Sequence, residues 1–147
     1  MIYHYDITDS TQVRAKELAK QGVYSTFTVI ANQQSHGNGQ HGRTWISARG
    51  GLYMTQVCCI AASAPFTEPI AYRVGQAICE SMQLYCSAVM KWPNDIMLAG
   101  KKLGGILCDS QPLTAENRQV FIGVGININQ PCVGHAAGIS LLAHTGH

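Results

Sequence analysis

Three short stretches of this chain bring lysine, asparagine, aspartate and bare glycine together, and those residue types suit the holding of an anion. The first is Gly37-Asn-Gly-Gln-His-Gly42, with Arg43 and Trp45 directly behind it. Its backbone can approach a phosphate, Arg43 supplies a cation, and the indole offers a face for stacking. The letters match G-x-G-x-x-G, but a dinucleotide fingerprint also needs a strand directly before it, a helix directly after it and an acid about 20 residues on. Here Arg43-Thr-Trp-Ile-Ser47 continues the loop and position 62 is alanine, so the pattern argues against a Rossmann site. A plain surface loop is the competing reading. The second stretch is Lys91-Trp-Pro-Asn-Asp95, followed by Gly100-Lys-Lys-Leu-Gly-Gly-Ile-Leu107. Pro93 cannot donate to a sheet ladder, so the strand turns there and leaves Asn94 and Asp95 at the break. Lys102 then opens a strand whose Gly104 and Gly105 leave room for something to lie against the backbone. A carboxylate or phosphate would be held this way, and a charged hairpin with an Asn/Asp turn fits equally well. The third stretch is Gly123-Val-Gly-Ile-Asn-Ile-Asn129. Two glycines weaken a buried strand unless a ligand or another backbone comes close. The alternative is a strand ending in an Asn-rich turn.

These stretches need elements to carry them. Asp9-Ser10 is a helix-start signal before an amphipathic run with Val13, Ala15, Leu18 and Ala19, and Gly22 is a stop. Alternation and β-branched residues predict a strand over 24–31, and 32–50 reads as a polar, glycine-bearing loop. A second strand covers 52–61. Thr67 and Pro69 open a helix whose stripe is Ile70, Val74, Ala77, Ile78, Met82 and Tyr85. Strands near 88–92, 95–98 and 103–109 follow, the last two joined by a tight turn at Ala99-Gly100-Lys101, and 119–127 reads as a buried strand. Beyond Asn129 the pattern fades into loop with one apolar run at 139–143. Strands outnumber helices without alternating with them, which predicts an α+β fold over a doubly wound one.

No repeat, charge block or Pro/Ser linker divides the 147 residues, so 1–147 reads as one domain. With 46% hydrophobic and 12% charged residues, the chain can bury a real core and is not a disordered tail. A net charge of +2 is too mild to argue for nucleic acid. No apolar run approaches the ~20 residues of a membrane helix, and the first residues lack the pattern of a secretion signal. The six cysteines (58, 59, 79, 86, 108, 132) form no C-x-x-C, and they read as reduced, buried thiols of a cytoplasmic protein. No resident metal site is expected.

Taken together, the stretches resemble the catalytic domain of biotin protein ligases. That family's loop has the form Q-[ST]-x-G-R-G-R-x-G-R-x-W-x-S followed by G-G-L-Y. It is matched by Gln34-Ser-His-Gly-Asn-Gly-Gln-His-Gly-Arg-Thr-Trp-Ile-Ser47 and Gly50-Gly-Leu-Tyr53. The family's K-W-P-N-D stands at 91–95, K-L-x-G-I-L at 102–107, G-x-G-I-N-x-N at 123–129 and an early D-S-T at 9–11. The resemblance implies a class II aminoacyl-tRNA synthetase-like fold, with a mixed central sheet and flanking helices. It implies ATP-dependent activation of biotin as biotinyl-5′-adenylate, with Mg²⁺ accompanying ATP, and transfer to a lysine of a biotin carboxyl carrier protein. By position, Ser10, Thr11, Gln12 and Gln34 would contact the biotin ring, and Gly37, Asn38, Gly39 and Gln40 would form the loop closing over the adenylate. Lys102, beside Gly105, would bind the biotin carboxylate and the α-phosphate. Arg43 would share the catalytic role and, with Trp45, Asn94, Asp95 and Asn127, surround the nucleotide. A homodimer is expected, and neither nucleic acid nor membrane is.

Two features depart from the family pattern: Asn38 and Gln40 stand where the family usually has arginines. The family's N-terminal DNA-binding domain and C-terminal small β-barrel have no counterpart in these 147 residues. Two other readings compete. One is a lipoate ligase or octanoyl transferase relative, which shares the related fold and an equivalent lysine. The other is a truncated protein that binds biotin or its carrier with little ligase activity.

Overall fold

The computed structural model describes residues 1–64, 70–130 and 138–146. Eight strands form one sheet: β1 (Ile2–Thr8), β2 (Phe27–Asn38), β3 (Thr44–Ser47), β4 (Leu52–Ala61), β5 (Val89–Lys91), β6 (Asp95–Leu98), β7 (Lys101–Pro112) and β8 (Asn117–Ile126). The order is β1-β2-β4-β8-β7-β6-β5, with β3 also on β2. Among the described strand pairs β1 and β2 alone run parallel, and helix α1 (Thr11–Lys20) is the crossover between them. The α+β expectation therefore holds.

The helix starts where Ser10, in extended backbone, accepts the Gln12 N–H at 3.2 Å. Gly22, with φ of +94°, follows its end. Strand register then sorts the apolar residues onto two faces. Phe27, Val29, Val57 and Phe121 lie on one face and pack with Ala15 and Ala19 of α1. Ile106, Val124 and Ile126 lie on the other, with Ala71 and Cys79 of helix α2 (Ile70–Ser81). A short helix, α3 (Leu141–Thr145), closes the described chain. Among the described residues, no helix is long and apolar enough to cross a membrane.

Several expectations need correction. The 32–50 loop is mostly sheet: β2 runs on to Asn38, turns through Gln40–Gly42 and returns as β3. Backbone pairing does not require apolar side chains, so a polar hairpin there hides from a hydrophobicity pattern. Strand β1 is a further element outside the expected set, although Ile2-Tyr-His-Tyr-Asp-Ile-Thr8 alternates and carries aromatic and β-branched residues. It is an edge strand, with only Tyr3, Tyr5 and Thr8 turned out of full solvent contact. In α2 the buried line is Ala71, Gly75 and Cys79, one step round from the expected stripe. Val74 and Ile78 flank the core and Ala77 is exposed, while the helix ends at Ser81, short of Met82, which packs against the core, and of Tyr85, which is exposed. Thr67, Pro69 and Cys132 lie outside the described residues. Of the other cysteines, Cys79 and Cys86 are buried, Cys58 and Cys108 are half-buried, and Cys59 is exposed. The buried-thiol reading thus holds for two of these five. Burial pushes the Cys108 thiol up to about 12, a poor nucleophile.

Candidate active site

A cavity of about 540 Å³ opens on the α1 face of the sheet, between the N-terminus of α1, the β2–β3 hairpin and the β6–β8 strands. It is lined by Ser10, Thr11, Gln12, Gln34, Asn38, Gly39, Gln40, Arg43, Trp45, Asn94, Asp95, Lys102, Gly105 and Asn127. Those are the expected site residues with one exception. Gly37 is not in the lining: it is buried in the hairpin, packed against Ser47 and the Trp45 carbonyl.

One end of the cavity is a polar floor. The Gln34 Oε1 accepts from the Thr11 N–H (2.8 Å) and hydroxyl (3.2 Å), while its Nε2 donates to Ser47 Oγ at 2.7 Å. Gln12 is buried, with Nε2 donating to Asp109 Oδ2 and to the Phe121 carbonyl, both at 3.3 Å. Thr55, unnoticed in the sequence, is fully buried and places its hydroxyl 2.9 Å from Thr11 Oγ1 and 3.1 Å from Gln12 Oε1. Capping leaves the Ser10 hydroxyl proton without an acceptor among the described residues. Gly123 is bare because the Gln12 amide lies there: a Cβ would come within 2.7 Å of Oε1.

The opposite end is charged. Lys102 Nζ sits 2.6 Å from Asp95 Oδ1 and 5.3 Å from the centre of the Trp45 ring, a cation–π geometry. Lys102 and Gly105 are three positions apart, which in a regular strand puts them on opposite faces. A bulge in β7 intervenes: Gly104 pairs with Ile96 and Lys102 with Met97, leaving Leu103 over. Leu103 turns into the α2-side core and Lys102 swings to the cavity side, beside Gly105. Neighbouring Lys101 is exposed and outside the cavity. The turn before β7 is tight, with left-handed φ at both Ala99 (49°) and Gly100 (75°).

Three side chains differ from a simple nucleotide-facing role. Asn94 mends the ladder that Pro93 interrupts, its Nδ2 donating to the Ile106 carbonyl at 2.9 Å while Ile106 N–H donates back to the Asn94 carbonyl. Asn127 ties down the following segment: Nδ2 donates to the Ile139 carbonyl, and Oδ1 accepts from Gln130. Trp45 lies over Gly125, where a Cβ would come within 2.6 Å of Nε1, so a side chain takes the room the glycine leaves. The indole N–H is buried and has no partner among the described residues. Arg43 lies in the rim, exposed.

The geometry matches known proteins along most of the chain. The profile of the biotin/lipoate A/B protein ligase family matches residues 5–127. The chain is 37% identical over 135 residues to the bifunctional ligase/repressor BirA of Bacillus subtilis, a match covering 88% of this chain and 41% of that protein. It is 30% identical over 150 residues to the biotin–[acetyl-CoA-carboxylase] ligase of Paracoccus denitrificans, covering 95% of this chain and 62% of the other. It thus spans 41% and 62% of the length of these two relatives, less than two thirds of either. In structure it resembles the biotin protein ligase of Leishmania major in complex with biotinyl-5-AMP (TM-score 0.77, 26% identity, 99% of this chain and 64% of that one). It also resembles that of Aquifex aeolicus in complex with biotin and ATP (TM-score 0.75, 28% identity, 99% and 61%). The chain belongs to the biotin/lipoate A/B protein ligase family.

Proposed function

We propose that this chain activates biotin with ATP and passes it to a lysine of a biotin carboxyl carrier domain. The observation that carries this reading is one cavity with a hydrogen-bonding floor at one end and the Lys102 ammonium at the other. Biotin has the same layout: a cyclic urea with N–H donors and a carbonyl, then an apolar tail ending in a carboxylate. A lipoyl ring or an octanoyl chain brings no carbonyl to this floor and would cover the Ser10 hydroxyl proton without giving it an acceptor, at roughly 1–3 kcal/mol.

In the first step a biotin carboxylate oxygen attacks the α-phosphorus of ATP, forming the mixed anhydride and expelling pyrophosphate. In the second, the carrier's lysine amine attacks the biotinyl carbonyl carbon, AMP leaves with the anhydride oxygen, and the amine gives up a proton. Bringing a carboxylate to a phosphate calls for cations and fixed orientation rather than a strong base. Lys102 meets both anions, and they compete with Asp95 for its ammonium. Arg43 and the Gly39–Gln40 turn approach the nucleotide from the rim. Among the described residues no three His, Cys, Asp or Glu side chains converge to hold a metal. Mg²⁺ arriving with ATP would offset phosphate charge and would be held partly through the phosphates and water.

The carrier domain and a second copy of the chain are the partners of this reading. Strand β5, the sheet edge beside β6, with Val89 exposed on it and Trp92 exposed just past its end, offers an edge to either. ATP–pyrophosphate exchange is the test. Exchange that depends on biotin and not on lipoate or octanoate is the expected result. Exchange with lipoate, or biotin binding without exchange, would replace this reading.

A further inference from the structure

Counting protons in the cavity floor singles out a residue that does not line it. Both Gln12 Nε2 hydrogens are taken, one by Asp109 Oδ2 and one by the Phe121 carbonyl. Asp109 is itself clamped by Lys16, with Nζ to Oδ2 at 2.6 Å. The carboxamide therefore cannot turn over without setting Oε1 against a carboxylate, and Oε1 stays on the cavity side against Gly123. Thr55 has one hydroxyl proton for two acceptors, Thr11 Oγ1 and Gln12 Oε1. Thr11 spends its own proton on Gln34. Gln12 Oε1 therefore has at most one donor from the described residues, the Thr55 hydroxyl, and keeps a lone pair that a ligand N–H can fill.

We propose that Asp109, held by Lys16, is a positioning residue that fixes the polarity of the Gln12 carboxamide and makes the floor select a head group bearing an N–H donor. This rests on the biotin reading above, whose cyclic urea is such a head group. Asp109 acts only through Gln12, so its effect should vanish when Gln12 is gone.

A double-mutant cycle tests this on the full chain, with biotin and ATP affinities measured by calorimetry for wild type, Asp109→Asn, Gln12→Ala and the pair. The expected result is a tenfold or greater loss of biotin affinity for each single variant, a double variant within twofold of Gln12→Ala, and ATP affinity within twofold throughout. Losses that multiply in the double variant, or unchanged biotin binding by Asp109→Asn, would overturn the proposal. Lys16→Met, which unclamps the carboxylate without removing it, goes through the same cycle in case Asp109→Asn does not fold. It should weaken biotin severalfold only where Gln12 is present. The ligand-free side-chain amide resonances of ¹⁵N-labelled Gln12 give a second readout. They should exchange slowly in wild type and fast in Asp109→Asn, and equal exchange would count against the clamp. That readout needs no biotin, so a wild type that fails to bind biotin sinks the biotin reading and leaves the clamp separately decided.

Discussion

Lys101 and Lys102 are neighbours with opposite fates, and the difference is measurable. Lys102 alone reaches the cavity, paired with Asp95 and set over Trp45. Removing a cation that acts as charge is redistributed costs about 3–4 kcal/mol, so Lys102→Ala should slow adenylate formation 10²–10³-fold without unfolding the chain. Lys101→Ala should leave exchange within about twofold of wild type, and equal losses for the two would refute the assignment. Gln40 is a second point of difference at this scale. It lines the rim as a neutral amide at a position where the loop pattern that this sequence resembles usually has an arginine, and a neutral hydrogen bond is roughly half as strong as a charged one. The bound adenylate should therefore escape more readily, and Gln40→Arg should slow that escape. A chase of preformed adenylate reads the rate directly. Agreement within twofold means that Arg43, His41 or Arg49 already compensates.

Strand β7 decides the site at the scale of elements. Its bulge at Leu103 gives Lys102 to the cavity and Leu103 to the core, and it needs a glycine beside it. A Cβ on Gly104 would meet the Gly125 carbonyl oxygen at 2.8 Å, a backbone atom with no easy way to yield. Gly104→Ala should cost about 1–3 kcal/mol, the range for overpacking, and should impair adenylate formation further by re-aiming Lys102. Thermal melts and pyrophosphate exchange on the same sample separate the two effects. An unchanged melting temperature would show that the two strands can slide apart. Helix α1 does the matching work for the floor, since its cap sets the buried Ser10 in the cavity lining and its first turn delivers Thr11 and Gln12.

For the whole molecule, acid stability should report on how α1 is fastened to the sheet. Burial raises the Asp109 carboxyl, but hydrogen bonds from Lys16 and Gln12 outweigh it and hold it below its ordinary 3.8. Asp9 behaves alike: burial pushes it up, and the Ser10 N–H, the Thr8 hydroxyl and Arg14 bring it lower still. A carboxyl lowered by folding stabilises the native state above its unfolded value, and that contribution is lost as pH falls through the folded value. Stability should therefore be flat in these two groups above about pH 5 and fall below about pH 4. Asp109→Asn should make the acid limb shallower in melts taken from pH 5 to pH 2. An acid limb identical to wild type would mean that Asp109 contributes nothing to holding the helix.

Much of this protein is legible along the chain because the relevant physics is local. The α1 cap, the tight turn before β7, the β4 strand and the break at Pro93 each follow from residues a few positions apart. The residue types clustered around 37–45, 91–105 and 123–127 likewise suit the holding of an anion, and the fold brings members of all three to one cavity. What only the tertiary structure decided is long-range. Register turned the polar 32–50 segment into a hairpin, since ladder pairing depends on the partner strand and not on local hydrophobicity. The bulge at Leu103 set which lysine faces the cavity, against a simple count of alternating side chains. Trp45 filled the space at Gly125 from a different strand. Asp109 lies 97 residues from Gln12 and 93 from Lys16, so no spacing along the chain could mark it. Those contacts exist because α1 packs across β4 and β8, and helix-on-sheet packing is settled by shape and burial summed over the whole core.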